Sequence, residues 1–115
     1  MIAVDLPIKT VNTSNSREHW RTVHRRNKAT RELVGLKLNT QPRPALPVRV
    51  LLTRRSKNLM DAHDNLRVSL KPVVDEIARW LRVDDGDPRV AWCYVQERAP
   101  TFGVRIEVTP VEAAP

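Results

Sequence analysis

The segment 60-MDAHDNLRVSLKPVVDEIARWLRVDDGDP-88 contains seven of the thirteen acidic residues of a chain whose formal net charge is +7. Carboxylates crowded together repel one another and raise each other's pKa, so the crowding indicates that something else holds these acids together. Pro72 lies inside the segment and predicts a bend or a break, with Pro72 in the first turn of a second helix. Apolar residues at steps of three and four predict one buried helical face: Leu66, Leu70, Val73, Val74, Ile77 and Leu81.

Strands are predicted on both sides of this helical segment. A short first strand in residues 2–9 ends at Pro7, and a helix runs from about Arg17 to Leu38, with Trp20 opening an apolar stripe. A proline-rich loop separates that helix from the buried strand "VRVLLTRR" at 48–55. After the segment, "RVAWCYVQE" at 89–97 and "FGVRIEVT" at 102–109 alternate in polarity, with Phe102 on the apolar face. The short connection between them predicts an antiparallel hairpin.

The element order β-α-β-α-β-β predicts an α+β domain, a small mixed sheet with helices packed on it. The 115 residues suit a single domain over 1–115, with a loose tail at 110–115. No stretch approaches the roughly 20 apolar residues of a membrane span, and the first residues do not resemble a signal peptide, so a cytoplasmic location is expected. Cys93 is the only cysteine, which excludes an internal disulfide and a multi-cysteine zinc site.

Charge is divided unevenly along the chain. Residues 1–59 have a balance of +10 and residues 60–115 a balance of −3. A basic half predicts a polyanionic partner, most often nucleic acid, although a solvated surface that keeps the protein soluble is the alternative. Acids would weaken phosphate binding unless cations lie among them, which points to a divalent metal. The candidate phosphate contacts are Arg17, Arg21, Arg25, Arg26, Lys28, Arg54, Arg55 and Lys57.

Six of these acids also have a simpler interpretation. Asp64 can cap a helix, Asp75 and Glu76 can be ordinary solvated helix residues, and Asp84, Asp85 and Asp87 suit a turn. A straight helix of this length spans roughly 25 Å, so Asp64 and Asp85 can meet only if Pro72 breaks the element or the chain folds back.

Three features of the segment together resemble the RusA family of Holliday junction resolvases, and prophage-type members most closely. They are "DNL" at 64–66, Lys71 followed four residues later by Asp75, and "VDDGDP" at 83–88. The resemblance extends through the last two strands and, more faintly, to the first strand. It is most specific between Asp61 and Arg89.

The resemblance implies a small homodimeric endonuclease that binds four-way DNA junctions and cuts paired strands symmetrically with Mg²⁺ or Mn²⁺ in DNA recombination and repair. By position, Asp64 and Asp85 match the metal-binding aspartates, Asn65 the asparagine after the first of them, and Lys71 the catalytic lysine. Carboxylate oxygens are the ligands that a hard cation prefers, which agrees with this assignment.

The chain departs from the family pattern at Ala62, where members usually have an acid. Asp61 is expected to supply the missing carboxylate as a metal ligand, and His63 is the alternative. A RusA-like protein that binds junctions without cutting them is therefore a second hypothesis. A small RNA-binding or toxin-like protein is a third.

Overall fold

The computed structural model describes residues 1–10, 20–60 and 65–111. The elements in chain order are β1 (Ile2–Leu6), α1 (Trp20–Leu38), β2 (Val48–Ser56), α2 (Asn65–Ser69), α3 (Lys71–Leu81), β3 (Val90–Arg98) and β4 (Gly103–Pro110). The predicted α+β class and the mixed sheet are confirmed, with the second helix divided into α2 and α3. The predicted first turn of the long helix, at residues 17–19, and most of the predicted tail lie outside the described residues. Within those residues, no helix is both long and apolar enough to cross a membrane.

The four strands form one sheet in the order β1-β4-β2-β3. The predicted hairpin between the last two strands is wrong, because β2 lies between them. Strand β3 runs parallel to β2, whereas β4 runs antiparallel to both β2 and β1. The helices between β2 and β3 provide the crossover that a parallel pair requires. Val48, Val50 and Leu52 of β2 are fully buried, and a central strand satisfies its backbone groups on both edges.

One face of the sheet packs against the helices and forms the core. Helix α3 contributes the predicted apolar face, and Ile77 at its centre is fully buried. Helix α1 is buried only towards its C-terminal end, so Trp20 at its other end is 67% exposed, with the Arg21 guanidinium 5.3 Å from its ring centre. Phe102, predicted to face the core, precedes β4 and is 49% exposed.

The helical segment breaks at Leu70, which confirms the effect predicted for Pro72. Helix α2 ends at Ser69, and α3 begins at Lys71 with the proline in its first turn. At the other end of α3, Arg82 adopts the left-handed conformation with φ 61°. Its N–H donates to the Arg79 carbonyl at 3.1 Å, and the Val83 N–H donates to the Ala78 carbonyl at 3.0 Å. This cap reverses the chain.

Candidate functional site

Lys71, Asp75 and Asp85 form a cluster of charged side chains at the start of α3, here called the Lys71 cluster. The Lys71 Nζ lies 2.9 Å from Asp75 Oδ1, one helical turn further along α3, and it also contacts Asp85 Oδ2. Asp85 is 14 residues further along the chain, in the loop between α3 and β3. The three side chains are roughly half exposed, so solvent and a ligand can both reach them.

Two local structures bring Asp85 to Lys71. The left-handed residue Arg82 ends α3 and turns the chain back. Trp92 on β3 then fixes the returning loop, because its indole Nε1–H donates to the Asp85 carbonyl at 3.0 Å. On the other side of the break, the Arg67 guanidinium of α2 lies 5.5 Å from the centre of the Tyr94 ring on β3. Helix α2 and the loop after α3 are therefore both tied to β3.

The neighbouring aspartates differ from Asp85 in what they contact. Asp87 accepts hydrogen bonds from the backbone N–H of Arg89 at 2.9 Å and from its guanidinium at 3.0 and 2.8 Å. The Asp84 carbonyl accepts the Asp87 N–H at 3.0 Å, as in a turn. The turn interpretation therefore describes Asp87 well, whereas the Asp85 carboxylate points towards a lysine.

Electrostatics stabilise the charged forms of both partners in the Lys71–Asp85 contact. The hydrogen bond to Asp85 and, as the second largest cause, the hydrogen bond to Asp75 raise the pKa of Lys71 well above its ordinary value. The hydrogen bond from Lys71 is also the main reason why the pKa of Asp85 lies below its ordinary value of 3.8. Lys71 is therefore an ammonium at neutral pH, suited to stabilising negative charge and unsuited to accepting a proton.

The described residues supply part of the predicted metal-binding set. Asp61 and Asp64 lie outside the described residues, as do Ala62 and His63. Among the residues that the structure does describe, no group of three or more His, Cys, Asp or Glu side chains is placed to hold a metal. Asp75 and Asp85 nevertheless bind one ammonium between them, and their oxygens are the donors that Mg²⁺ prefers. The chemistry of this pair fits a hard cation.

The 57–60 loop, made of residues 57–60, leads directly to Asp61 and the three residues after it. The Gln96 side chain on β3 accepts the Met60 N–H at 2.7 Å and donates to the Met60 carbonyl at 2.8 Å. Arg54, only 6% exposed, donates to Thr10 Oγ1 at 2.7 Å, the Asn58 carbonyl at 3.0 Å and Gln96 Oε1 at 3.4 Å. Sequence reasoning did not identify Gln96 or Thr10. The sequence does indicate that Arg54 is buried, because it follows Val50 and Leu52 at the two-residue spacing of the buried face of β2.

The predicted phosphate contacts occupy different environments. Arg54 is buried in the network that holds the 57–60 loop, and Arg55 pairs with Asp5 at 3.3 Å on the open face of the sheet. Lys57 is exposed and lines an open cleft of about 410 Å³. On α1, Arg21 lies over Trp20, Arg26 is half-buried, and Arg17 is outside the described residues. Arg21, Arg25 and Lys28 are exposed on α1, as Lys57 is in its loop, so these four predicted contacts are accessible to a partner.

Comparison with known protein families found no matching family model, and no curated protein matched the chain.

Proposed function

We propose that the protein is a Mg²⁺- or Mn²⁺-dependent endonuclease that binds four-way DNA junctions and cuts paired strands symmetrically, as members of the RusA family do. The observation that supports this most is the contact between Lys71 and Asp85. Two residues that match the family's catalytic positions, at opposite ends of α3, meet in space because the chain reverses at Arg82 and Trp92 holds the returning loop.

In this proposal Asp85, Asp64 and Asp61 would hold the metal ion. A bound divalent cation supplies charge neutralisation at the phosphodiester and lowers the pKa of a water molecule. Asp75 is a positioning residue, because it holds the Lys71 ammonium from within the same helix. If Asp85 turns towards a cation, Lys71 keeps one carboxylate partner and stays at the site.

Lys71 acts in this proposal as a fixed positive charge. Because its pKa is raised, it remains protonated and can donate hydrogen bonds to the phosphate and to the departing oxygen as negative charge develops there. The attacking water must lose its proton to another group. A homodimer would present two such sites, which suits the near two-fold symmetry of a four-way junction.

The test is cleavage of a synthetic four-way junction by the purified protein with Mg²⁺. We expect the wild type to cut opposed strands, and Asp85→Asn and Asp64→Asn to bind the junction without cutting. Asp87→Asn is the matched control: it removes the same charge from the same loop but affects a carboxylate that binds Arg89. Cutting that survives Asp85→Asn would refute the assigned site.

Ala62 favours a second candidate, a junction-binding protein without nuclease activity, because an acid is usual at that position in the family. This candidate predicts binding that weakens with salt and no cutting by the wild type with either Mg²⁺ or Mn²⁺. Ala62→Asp would then restore cutting if only the missing carboxylate is responsible.

A further inference from the structure

A polar groove runs between α1 and α3, on the helical side of the molecule. It consists of two neighbouring hollows of about 430 and 400 Å³, which share Glu76 and Arg79 in their linings. The two helices approach closely at Gly35, where an added Cβ atom would lie 2.7 Å from Glu76 Oε1. We call this surface the α1–α3 groove.

Positive charge predominates in the α1–α3 groove. Its lining includes five Lys and Arg side chains and two carboxylates, Glu32 and Glu76. In the described part of the chain, the salt bridges involve none of these five cations. Lys37, Arg49 and Arg98 outside the groove form none either, so the groove is distinguished by the number of cations that it brings together. Unpaired cations concentrated in one groove are the electrostatic pattern of a surface that binds a polyanion. The five are Lys28, Arg31, Arg43, Arg79 and Arg82.

Arg82 provides a second, independent observation. It is the only residue other than glycine with a positive φ in the described part of the chain, and it occupies a helix-capping position where glycine is the usual residue. An L-residue in this conformation costs stability that glycine would avoid. Arg82 therefore places a guanidinium in the lining of the groove at a local conformational cost.

We propose that the α1–α3 groove binds the sugar–phosphate backbone of one duplex arm of the DNA substrate. This inference rests on the proposed function and adds a binding surface beyond the Lys71 cluster. The groove suits nucleic acid better than a membrane surface, because insertion into a lipid interface needs an apolar face and Trp80 is the only large apolar side chain in the lining.

Helix α3 connects the groove to the candidate cutting site. Lys71 lies at its first turn, while Arg79 and Arg82 lie at its other end, roughly 12–17 Å away at about 1.5 Å per residue. At about 3.4 Å per base pair, this distance corresponds to roughly four base pairs of an arm. With α3 lying along the arm, the groove would contact phosphates about four base pairs from the cut.

The test compares three proteins in junction and linear-duplex binding, measured by fluorescence anisotropy between about 50 and 200 mM salt. The groove variant is Arg43→Gln/Arg79→Gln/Arg82→Gln. The matched control, Lys37→Gln/Arg49→Gln/Arg98→Gln, removes the same charge from exposed residues outside the groove. We expect the groove variant to lower the slope of log affinity against log salt by about 2 to 3 on both DNAs, whereas the control stays near the wild type. Replacing the three groove arginines by lysine should restore most of the slope.

The outcomes separate this inference from the proposed function. If the wild type binds and cuts junctions while the groove variant keeps the wild-type slope, the groove inference is wrong and the nuclease proposal stands. If DNA binding depends on the groove but no protein cuts, the groove inference stands and the nuclease proposal is wrong. Groove-dependent binding to phosphatidylserine vesicles, with DNA binding unaffected by the substitutions, would also overturn the inference.

Discussion

Replacement of Gln96 by alanine should release the 57–60 loop. The Gln96 amide makes two hydrogen bonds to the Met60 backbone, at 2.7 and 2.8 Å, and accepts one from Arg54 at 3.4 Å. A partly buried hydrogen bond contributes about 1 kcal/mol net, so loss of the two short bonds should destabilise the closed loop by about 2 kcal/mol. That free energy corresponds to a roughly 30-fold rise in the equilibrium constant for local opening.

Hydrogen exchange measured by NMR tests this directly, because the Met60 N–H is itself one of the donors. We expect its exchange to accelerate roughly 30-fold in Gln96→Ala and roughly 5-fold in Gln96→Glu, which keeps the acceptor and loses the donor. Arg98→Gln, an exposed residue on the same strand, should leave the rate unchanged. If Met60 exchanges at the wild-type rate in Gln96→Ala, Gln96 does not hold the loop and the assigned role is wrong.

Three further predictions concern single residues. In a carboxyl NMR titration, Asp87 should titrate at about 2, chiefly because of hydrogen bonds from Arg89, and Arg89→Gln should return its pKa towards 3.8. Because the folded-state pKa of Asp87 is depressed, its interaction with Arg89 stabilises the fold fully above pH 3.8, and this stabilisation is lost as the pH falls through about 2. An unchanged Asp87 pKa in Arg89→Gln would exclude Arg89 as the cause. Ile77→Ala should lower the free energy of unfolding in urea by about 2–5 kcal/mol, because it opens a cavity at a fully buried position, and the exposed Val68→Ala should cost under about 1 kcal/mol. Equal losses in the two variants would contradict the assigned core. Arg82→Gly should raise the free energy of unfolding by about 1 kcal/mol by removing left-handed strain, and a fall would show that the arginine side chain stabilises the cap.

The break in the helical segment was predictable from sequence, whereas the reversal that forms the Lys71 cluster was not. Pro72 indicated a break, and apolar spacing identified the buried face of α3, because both effects act within a few residues. Helix length also set two conditions under which Asp64 and Asp85 could meet, but Asp64 lies outside the described residues, so their meeting stays a prediction. Nothing in the sequence identified Arg82 as the left-handed residue that turns the chain, because glycine is the usual signal for that conformation.

Strand neighbours and buried charges were the parts that sequence reasoning missed. Alternating polarity correctly predicted which face of β4 is buried, but side-chain period does not determine which strand lies alongside. The short connection after β3 therefore suggested a hairpin, although β2 occupies the position between the two strands. The sequence predicts Arg54 as a phosphate contact, whereas the side chain is buried. Two of its three hydrogen-bond partners, Thr10 and Gln96, are 44 and 42 residues away, which no local pattern reveals.

The pairing of the first strand with the last has a consequence for how the chain acquires its structure during synthesis. Ile2 pairs with Val108, so β1 has no neighbour in the sheet until β4 has left the ribosome. Strand β2 also lacks one of its two neighbours until then, although its apolar residues are already made. Contacts between such distant segments slow folding and leave an apolar strand edge open to other chains in the meantime. Until β4 is available, the apolar β2 therefore has one edge open to pairing with other chains.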